Sequence, residues 1–117
     1  MKPAIDDFLP LAPATLHILL SLAGEKMYGY AIMQEVARQS EGRFKLGPGT
    51  LYDNLQRLMK QGLVEEVASR SDDDSSRRRY YRLSGLGRGV LTAETDRLRG
   101  VVELAQAHLK LLRPRRT

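Results

Sequence analysis

The sequence predicts a mainly α-helical fold with a small β-hairpin, and three observations support this class. Apolar residues recur at helical spacing in three segments within residues 13–61, and glycine or proline separates these segments. Residues 63–83 have apolar ends around a polar centre, as two strands and their turn do. Residues 84–112 carry apolar side chains in steps of seven, four and three residues, the heptad pattern typical of a long helix with a partner.

The first two predicted helices are bounded by residues that favour helix ends. Pro13 is tolerated in the first turn of a helix and Gly24 supplies a stop, so the first helix lies between them. The second helix spans residue 29 to about residue 40, where Ile32 and Val36 lie on an apolar stripe. The stretch that follows is rich in glycine, so we expect a turn before the next helix.

The third predicted helix, residue 48 to about residue 61, has two faces of opposite character. Leu51, Leu55 and Leu58 share one face, which we expect to pack against the first two helices. The other face is either an ordinary solvated surface or a surface that binds a ligand. The side chains on this polar face are those of Tyr52, Asp53, Gln56, Arg57 and Lys60.

The predicted hairpin follows directly after this helix. In its second strand Tyr81 and Leu83 point to one face and Arg82 to the other, because side chains alternate along a strand. The register of the first strand cannot be read from alternation, since Leu63 and Val64 are both apolar. We call this hairpin, residues 63–83, the wing.

Three helices, a hairpin and a long helix is the order of a winged helix-turn-helix with an added C-terminal helix. We therefore expect a winged helix-turn-helix DNA-binding domain at residues 1–84 and a C-terminal dimerisation helix at residues 85–117. A helix of about 40 Å is too long to bury its whole apolar stripe against so small a domain, so we expect pairing with a second copy. The alternative is that the stripe folds back on the first helix within the monomer. The predicted dimerisation residues are Leu91, Leu98, Val102, Ala105, Leu109 and Leu112.

Length, charge and composition limit the class of function. The 117 residues suffice for one folded unit, and the net charge of +5 favours an anionic partner such as nucleic acid or a membrane surface. The chain has no cysteine, so it forms no disulfide and offers no thiolate to a metal. No apolar run reaches the roughly 20 residues of a membrane span, and the N-terminus has no pattern of a secretory signal. We expect a cytoplasmic protein with no membrane partner.

The polar face of the third helix has side chains suited to reading double-stranded DNA. Gln56 is expected to pair with adenine and Arg57 with guanine in the major groove, while Lys60 contacts a phosphate. Tyr52 is expected to reach a phosphate or a thymine methyl group. The Thr50 hydroxyl and the free amides of the first turn are expected to hold a phosphate.

The wing is the second basic element of the predicted DNA interface. Its arginines are Arg77, Arg78, Arg79 and Arg82. We expect their guanidinium groups to meet the DNA backbone or a narrow minor groove. The alternative is a solvated strand surface on which they pair with Glu65, Glu66 and the aspartates at 72–74. These aspartates repel phosphate, so the tip of the wing either points away from DNA or contributes little.

Three stretches of the chain resemble the segments that mark the PadR-type transcriptional regulators. They are YGYAIMQEV, GPGTLYDNLQRLMKQGLVE and RRRYYRLSGLG, and the likeness covers roughly residues 9–91. The resemblance implies a dimeric winged-helix repressor that binds an inverted repeat. It also implies a small-molecule effector, since members of this family respond to phenolic acids, drugs or other signals. Asp53 departs from the family pattern, in which many members carry proline or another non-acidic residue.

Two other classes of function compete with this interpretation. An enzyme needs a nucleophile with its base, paired carboxylates or a metal cluster, and no such set is visible; His17 and His108 have no second ligand at a suitable spacing. We expect neither a cofactor nor a metal. Tyr28 and Tyr30 either line an effector pocket or join the core. The alternative function is a winged-helix module that binds protein without sequence-specific DNA binding, and the salt dependence of DNA binding separates the two.

Overall fold

The computed structural model describes residues 4–68 and 79–112. Within these ranges the chain forms a short 3-10 helix, Ile5–Phe8, and a set of longer helices and strands. The helices are α1 (Pro13–Ser21), α2 (Gly29–Gln39), α3 (Pro48–Lys60) and α4 (Gly85–Leu111). The strands are β1 (Met27–Tyr28), β2 (Val64–Val67) and β3 (Tyr80–Leu83). The predicted mainly helical class with a small sheet is confirmed.

The antiparallel pairing that the wing requires is present between β2 and β3. Val64 lies opposite Leu83 and Val67 opposite Tyr80, which sets the register that the sequence left open. Leu63 and Val64 are both buried because Leu63 precedes the strand and packs into the core from the turn after α3. The ten residues that join these ranges, 69–78, lie outside the described part of the chain.

The sheet contains a third strand that the sequence analysis did not predict. Strand β1 pairs antiparallel with the other edge of β3, so that the strand order is β1-β3-β2. Met27 lies opposite Tyr81 and Tyr28 opposite Tyr80. A strand of two residues has no alternation to detect, so only the presence of β3 beside it shows that the segment is extended.

The core lies between α1, α2, α3 and the inner face of the sheet. Leu51, Leu55 and Leu58 of α3 are fully buried, as their spacing predicts. In β3 Tyr81 and Leu83 are buried while Arg82 is exposed, which confirms the alternation read from the sequence. The core is completed mainly by Ile18, Leu19, Leu22, Ile32, Val36 and Val90.

Helix α4 begins in contact with this core and ends outside it. The Ser84 hydroxyl caps the helix by accepting a hydrogen bond from the Gly87 amide at 2.9 Å, as its N-cap position predicts. Val90 and Leu91 are buried against the other elements, and Leu98 is half-buried. From residue 99 to residue 112 the described side chains are exposed. We call the packed part of the molecule the head and residues 99–112 the arm.

Gly87 is required where α4 crosses the turn after α3. A Cβ atom at this position would lie 2.0 Å from the Leu63 carbonyl oxygen, and the backbone offers no flexible group that moves aside. We expect Gly87→Ala to lower the free energy of unfolding by about 3 kcal/mol or more, the upper end for overpacking. Gly100→Ala is the matched control on the same helix, because a Cβ atom at Gly100 meets nothing within 4 Å. The control is expected to stabilise by roughly 0.5–1 kcal/mol through helix propensity.

Thermal and urea unfolding of both variants measures this difference. The close approach of α4 to the Leu63 carbonyl would be contradicted if Gly87→Ala and Gly100→Ala unfolded alike.

Candidate nucleic-acid interface

Helices α2 and α3 form the helix-turn-helix, and α3 presents its first turn to solvent. Gly47 is the N-cap of α3 with an extended backbone, Pro48 is the first helical residue, and no side chain caps the helix start. The amides of Gly49 and Thr50 precede the first intrahelical hydrogen bond, which runs from the Leu51 amide to the Gly47 carbonyl at 2.9 Å. These amides and the exposed Thr50 hydroxyl lie where a phosphate is expected to bind.

The outer face of α3 is exposed along its length, opposite the buried leucines. Tyr52 has 44% of its surface exposed, and the side chains of Asp53, Gln56 and Lys60 are exposed as well. The structure therefore places the predicted base-reading and phosphate-binding side chains on one surface. Their contacts with DNA stay a prediction.

Arg57 differs from the rest of this face because its guanidinium group has partners in the protein. Its Nη2 donates a hydrogen bond to the Thr15 hydroxyl of α1 at 3.2 Å and another to the Asn54 side-chain oxygen. Arg57 therefore joins α3 to α1, and a contact with guanine requires these bonds to be exchanged. The sequence contained Asn54 three residues earlier, but nothing in it placed Thr15 within reach.

Tyr52 packs against the start of α2. A Cβ atom on Gly29 would lie 2.3 Å from the Tyr52 hydroxyl oxygen, so the ring occupies the space that a side chain at Gly29 would fill. This contact explains the glycine between Tyr28 and Tyr30. Burial raises the pKa of the Tyr81 hydroxyl, and the nearby Tyr52 raises this pKa further. Tyr52 thus lies over the strand-helix junction and remains partly open to a ligand.

The edge of the sheet next to this junction carries a cation that the sequence analysis missed. Lys26 Nζ lies 5.3 Å from the centroid of the Tyr80 ring, and the Tyr28 and Tyr80 rings meet edge to face at 5.7 Å. Tyr28 is therefore half-buried within the sheet, while Tyr30 is exposed. The pattern of the sequence held no sign of these contacts, because they depend on β1 pairing with β3.

The two described wing arginines pair with glutamates on the neighbouring strand. Arg82 Nε donates to Glu65 Oε1 at 3.0 Å, and Arg79 Nε lies 4.0 Å from Glu66 Oε2. Both pairs are solvent-exposed, and such pairs contribute only about 0–1 kcal/mol to stability. These are pairs expected if the wing is an ordinary solvated strand surface. Because they are weak, a phosphate can replace the glutamates at a small cost in free energy. Two of the predicted residues, Arg77 and Arg78, and the aspartates at 72–74 lie outside the described residues.

The apolar stripe of α4 divides into a buried and an exposed part. Leu91, which we predicted as a dimerisation residue, is a core residue of the head with 8% exposure, so its burial needs no second copy. Beyond the half-buried Leu98, Val102 is 54% and Leu109 is 62% exposed, and Ala105 and Leu112 are exposed on the same side. These side chains do not fold back on α1. Val101 adds to this side of the arm.

The histidines and acidic residues of the described ranges do not form a metal site. His17 Nδ1 lies 3.1 Å from Gln39 Nε2 and its ring lies 5.1 Å from the Phe44 ring, so it packs α1 against α2 and the following turn. His108 is exposed on the arm. Among residues 4–68 and 79–112 no cluster of three or more His, Asp or Glu side chains is arranged to hold a metal ion. No helix in these ranges is long and apolar enough to cross a bilayer.

A cavity of about 190 Å³ lies between the N-terminal segment, α1 and the end of α3. Phe8, Leu11 and Leu58 contribute apolar surface to it, and Thr15 and Arg57 contribute polar groups. The cavity is thus next to the hydrogen bond that joins Arg57 to α1.

Three helices with an exposed third helix, followed by an antiparallel strand pair, define a winged helix-turn-helix protein. Comparison with known proteins identifies a family within this class. Residues 18–93 match the transcriptional regulator PadR-like family, and the chain belongs to that family. The family is one of transcriptional regulators and not of enzymes, which implies regulation through DNA binding.

Individual relatives agree with this assignment. Transcriptional regulator Rv3488 of Mycobacterium tuberculosis is 36% identical over 95 residues, 81% of each chain. The crystal structure of a PadR family transcription regulator from Clostridium difficile is similar in fold, with a TM-score of 0.71 over 84% of this chain and 99% of that one, at 24% identity. A PadR-like transcription factor from Bacteroides fragilis is 27% identical, with a TM-score of 0.64 over 80% of this chain and 86% of its own.

Proposed function

We propose that the protein is a repressor that binds an inverted-repeat operator as a homodimer and is released by a small-molecule effector. The observation that carries the proposal is the division of α3 into a fully buried leucine face and an exposed polar face. The buried face holds the helix rigidly in the head. The exposed face then enters a major groove without rearrangement of the core.

The side chains of α3 take two kinds of role in this proposal. Gln56 reads a base edge, because a side-chain amide offers a donor and an acceptor that match adenine. Lys60, Tyr52, Thr50 and the first-turn amides contact phosphates and set the register of the helix on the duplex. Arg57 reads a base only after it leaves Thr15, so we propose that operator binding includes that exchange.

Two heads act together when a second copy of the chain covers the exposed stripe of the arm. The residues we propose for this contact are Leu98, Val102, Ala105, Leu109 and Leu112. Two half-sites engaged at once gain affinity through effective concentration, which supports a dimer on an inverted repeat. A regulator of this kind works where the chromosome lies, so we also propose a cytoplasmic location.

The effector part of the proposal rests on the cavity beside Arg57. Its volume, about 190 Å³, is below the roughly 300–1,000 Å³ of pockets for drug-sized ligands, so only a ligand of few atoms fits; its lining combines apolar side chains with Thr15 and Arg57. A ligand there competes with Thr15 for the guanidinium group and thereby changes the position of a base-reading residue.

The salt dependence of DNA binding tests the proposed function. Duplexes enriched from a randomised pool by rounds of binding supply a cognate sequence, and a scrambled duplex supplies the comparison. We expect tighter binding to the enriched duplex and a steep decrease of both affinities between about 50 and 200 mM salt. If the dimeric protein binds neither duplex at any salt concentration, the proposed function is wrong.

Arg82→Ala tests the contribution of the wing in the same assay. We expect affinity to fall by a similar factor on both duplexes and the log-log salt slope to decrease by roughly 0.9, because one phosphate contact is lost. Arg99→Ala is the matched control, since Arg99 forms an exposed pair with Asp96 at 3.0 Å, as Arg82 does with Glu65. A loss confined to the enriched duplex would instead assign base reading to Arg82. Equal log-log salt slopes for Arg82→Ala and Arg99→Ala would show that Arg82 pairs with Glu65 and contacts no phosphate.

A second candidate function is favoured by the pairs on the wing. Glu65 and Glu66 offset the charge of Arg82 and Arg79, so these four side chains together carry no net positive charge. A winged-helix module that binds protein has no need of a basic wing. Such a module gives a flat salt dependence and no preference for the enriched duplex.

A further inference from the structure

Glu94 of α4 is an acidic side chain buried within the head, with 1% of its surface exposed. Its Oε2 accepts a hydrogen bond from the Leu11 amide at 2.9 Å. Arg97 donates to the same carboxylate twice, from Nε to Oε1 at 2.6 Å and from Nη2 to Oε2 at 3.1 Å. We call this set, the side chains of Glu94 and Arg97 with the Leu11 amide, the Glu94 cluster.

The cluster holds a carboxylate charge where desolvation disfavours it. The hydrogen bond from Arg97 is the main cause that lowers the pKa of Glu94, burial opposes it, and the Leu11 amide lowers it further. A buried ion pair of this kind is weak evidence for added stability, because hydrophobic side chains of the same size often serve as well. Its directional bonds do fix the position of one segment on another.

The segment fixed by the cluster leads directly into the helix-turn-helix. Leu11 lies two residues before α1, and the 3-10 helix before it also packs on α4. A Cβ atom on Gly89 would lie 3.0 Å from Ile5 Cδ1, which shows how closely this segment follows α4. The N-terminal segment therefore contacts α4 at both Gly89 and Glu94.

Glu94 also occupies a defined place along α4. It is the last fully buried residue of the helix, and after the half-buried Leu98 the arm leaves the head. The Glu94 cluster thus lies where α4 passes from the head to the arm.

We propose that Glu94 is a positioning residue that sets the angle between the DNA-binding head and the arm, and so the spacing of half-sites that a dimer accepts. This inference rests on the proposed function for its DNA readout. From Glu94 to Leu111 the helix extends about 26 Å, so a swing of about 10° displaces its end by about 4–5 Å, compared with 3.4 Å per base-pair step. A small loss of angular restraint therefore blurs the distinction between operators that differ by one base pair in spacing.

The angle is measured directly by the distance between two spin labels in the full-length chain. The protein has no cysteine, so single cysteines introduced at the exposed Gln34 on α2 and Glu103 on the arm take the labels cleanly. Labelled protein is mixed with an excess of unlabelled protein, so that the measured distances are those between two labels within one chain. We expect a broader distance distribution in Glu94→Gln than in the parent. No change is expected in Asp96→Asn, which removes an exposed carboxylate two residues further along the same helix.

A second pair of variants keeps the test independent of the folding of Glu94→Gln. Arg97→Met removes both side-chain hydrogen bonds that hold the Glu94 carboxylate, so the bond to Leu11 is expected to weaken and the same distribution to broaden. Arg99→Met is its control, since Arg99 pairs with Asp96 in the same i,i+3 geometry but away from the head. Distributions as narrow in Glu94→Gln and Arg97→Met as in the parent would overturn the proposal.

Operator binding supplies the readout that a merely stabilising role would not change. On the best spacing we expect Glu94→Gln to lose about tenfold in affinity, or about 1.4 kcal/mol. One base pair added or removed between the half-sites is expected to lower the affinity of Glu94→Gln by a smaller factor than it lowers the affinity of the parent. An undiminished preference for one spacing overturns the inference. If the parent binds no duplex, the proposed function fails, while the spin-label distances still decide the role of Glu94.

Discussion

Val102→Glu combined with Leu109→Glu is expected to convert the proposed dimer to a monomer. Both side chains are more than half exposed on the apolar stripe of the arm, so the change costs the monomer little. In a dimer it places like charges in the contact without partners, and such burial is strongly unfavourable. Affinity for an operator with two half-sites is expected to fall by roughly 10²- to 10⁴-fold, because the heads no longer bind together.

The matched control for this pair uses apolar side chains on another side of the same helix. Leu104 and Leu111 are also exposed and lie two residues after Val102 and Leu109, about 200° around the helix. Leu104→Glu with Leu111→Glu is expected to remain dimeric. Sedimentation and operator binding measure both pairs of variants. A monomer in the control, or a dimer in the Val102 and Leu109 pair, would show that the stripe is not the contact between copies.

Leu55→Ala and Gln56→Ala are expected to have opposite effects although the residues are adjacent. Leu55 is fully buried, so its truncation leaves a cavity and is expected to lower the free energy of unfolding by about 2–5 kcal/mol. Gln56 is exposed, so its truncation is expected to leave stability nearly unchanged. It is expected to cost about 1–3 kcal/mol on the enriched operator and less on a scrambled duplex.

Urea unfolding and titration with both duplexes test this pair of variants. Operator binding by Leu55→Ala is expected to return at temperatures where the fold is intact, since no DNA contact is removed. Equal affinity of Gln56→Ala and the parent for the enriched operator would exclude this side chain from base reading. Loss of stability in Gln56→Ala would place the side chain in a contact within the head.

Part of this architecture is determined by local physical chemistry and could be predicted from the sequence. The leucines at 51, 55 and 58 recur at helical spacing, so any fold with that helix has to bury them on one side. Ser84 caps α4 through its own hydroxyl, and the alternation of Tyr81, Arg82 and Leu83 is a property of a strand. Each of these features depends on residues within a few positions of one another.

Contacts between distant parts of the chain were decided by the tertiary structure alone. Strand β1 exists because β3 offers a free edge, and Arg57 donates to Thr15 because the fold brings the start of α1 within reach of α3. Leu91 continued the heptad pattern in the sequence, but the head covers it. The sequence analysis did not single out Glu94, because its partner, the Leu11 amide, lies 83 positions away in the chain. Periodicity records which side of a helix is apolar, whereas the segment that covers that side depends on how the whole chain packs.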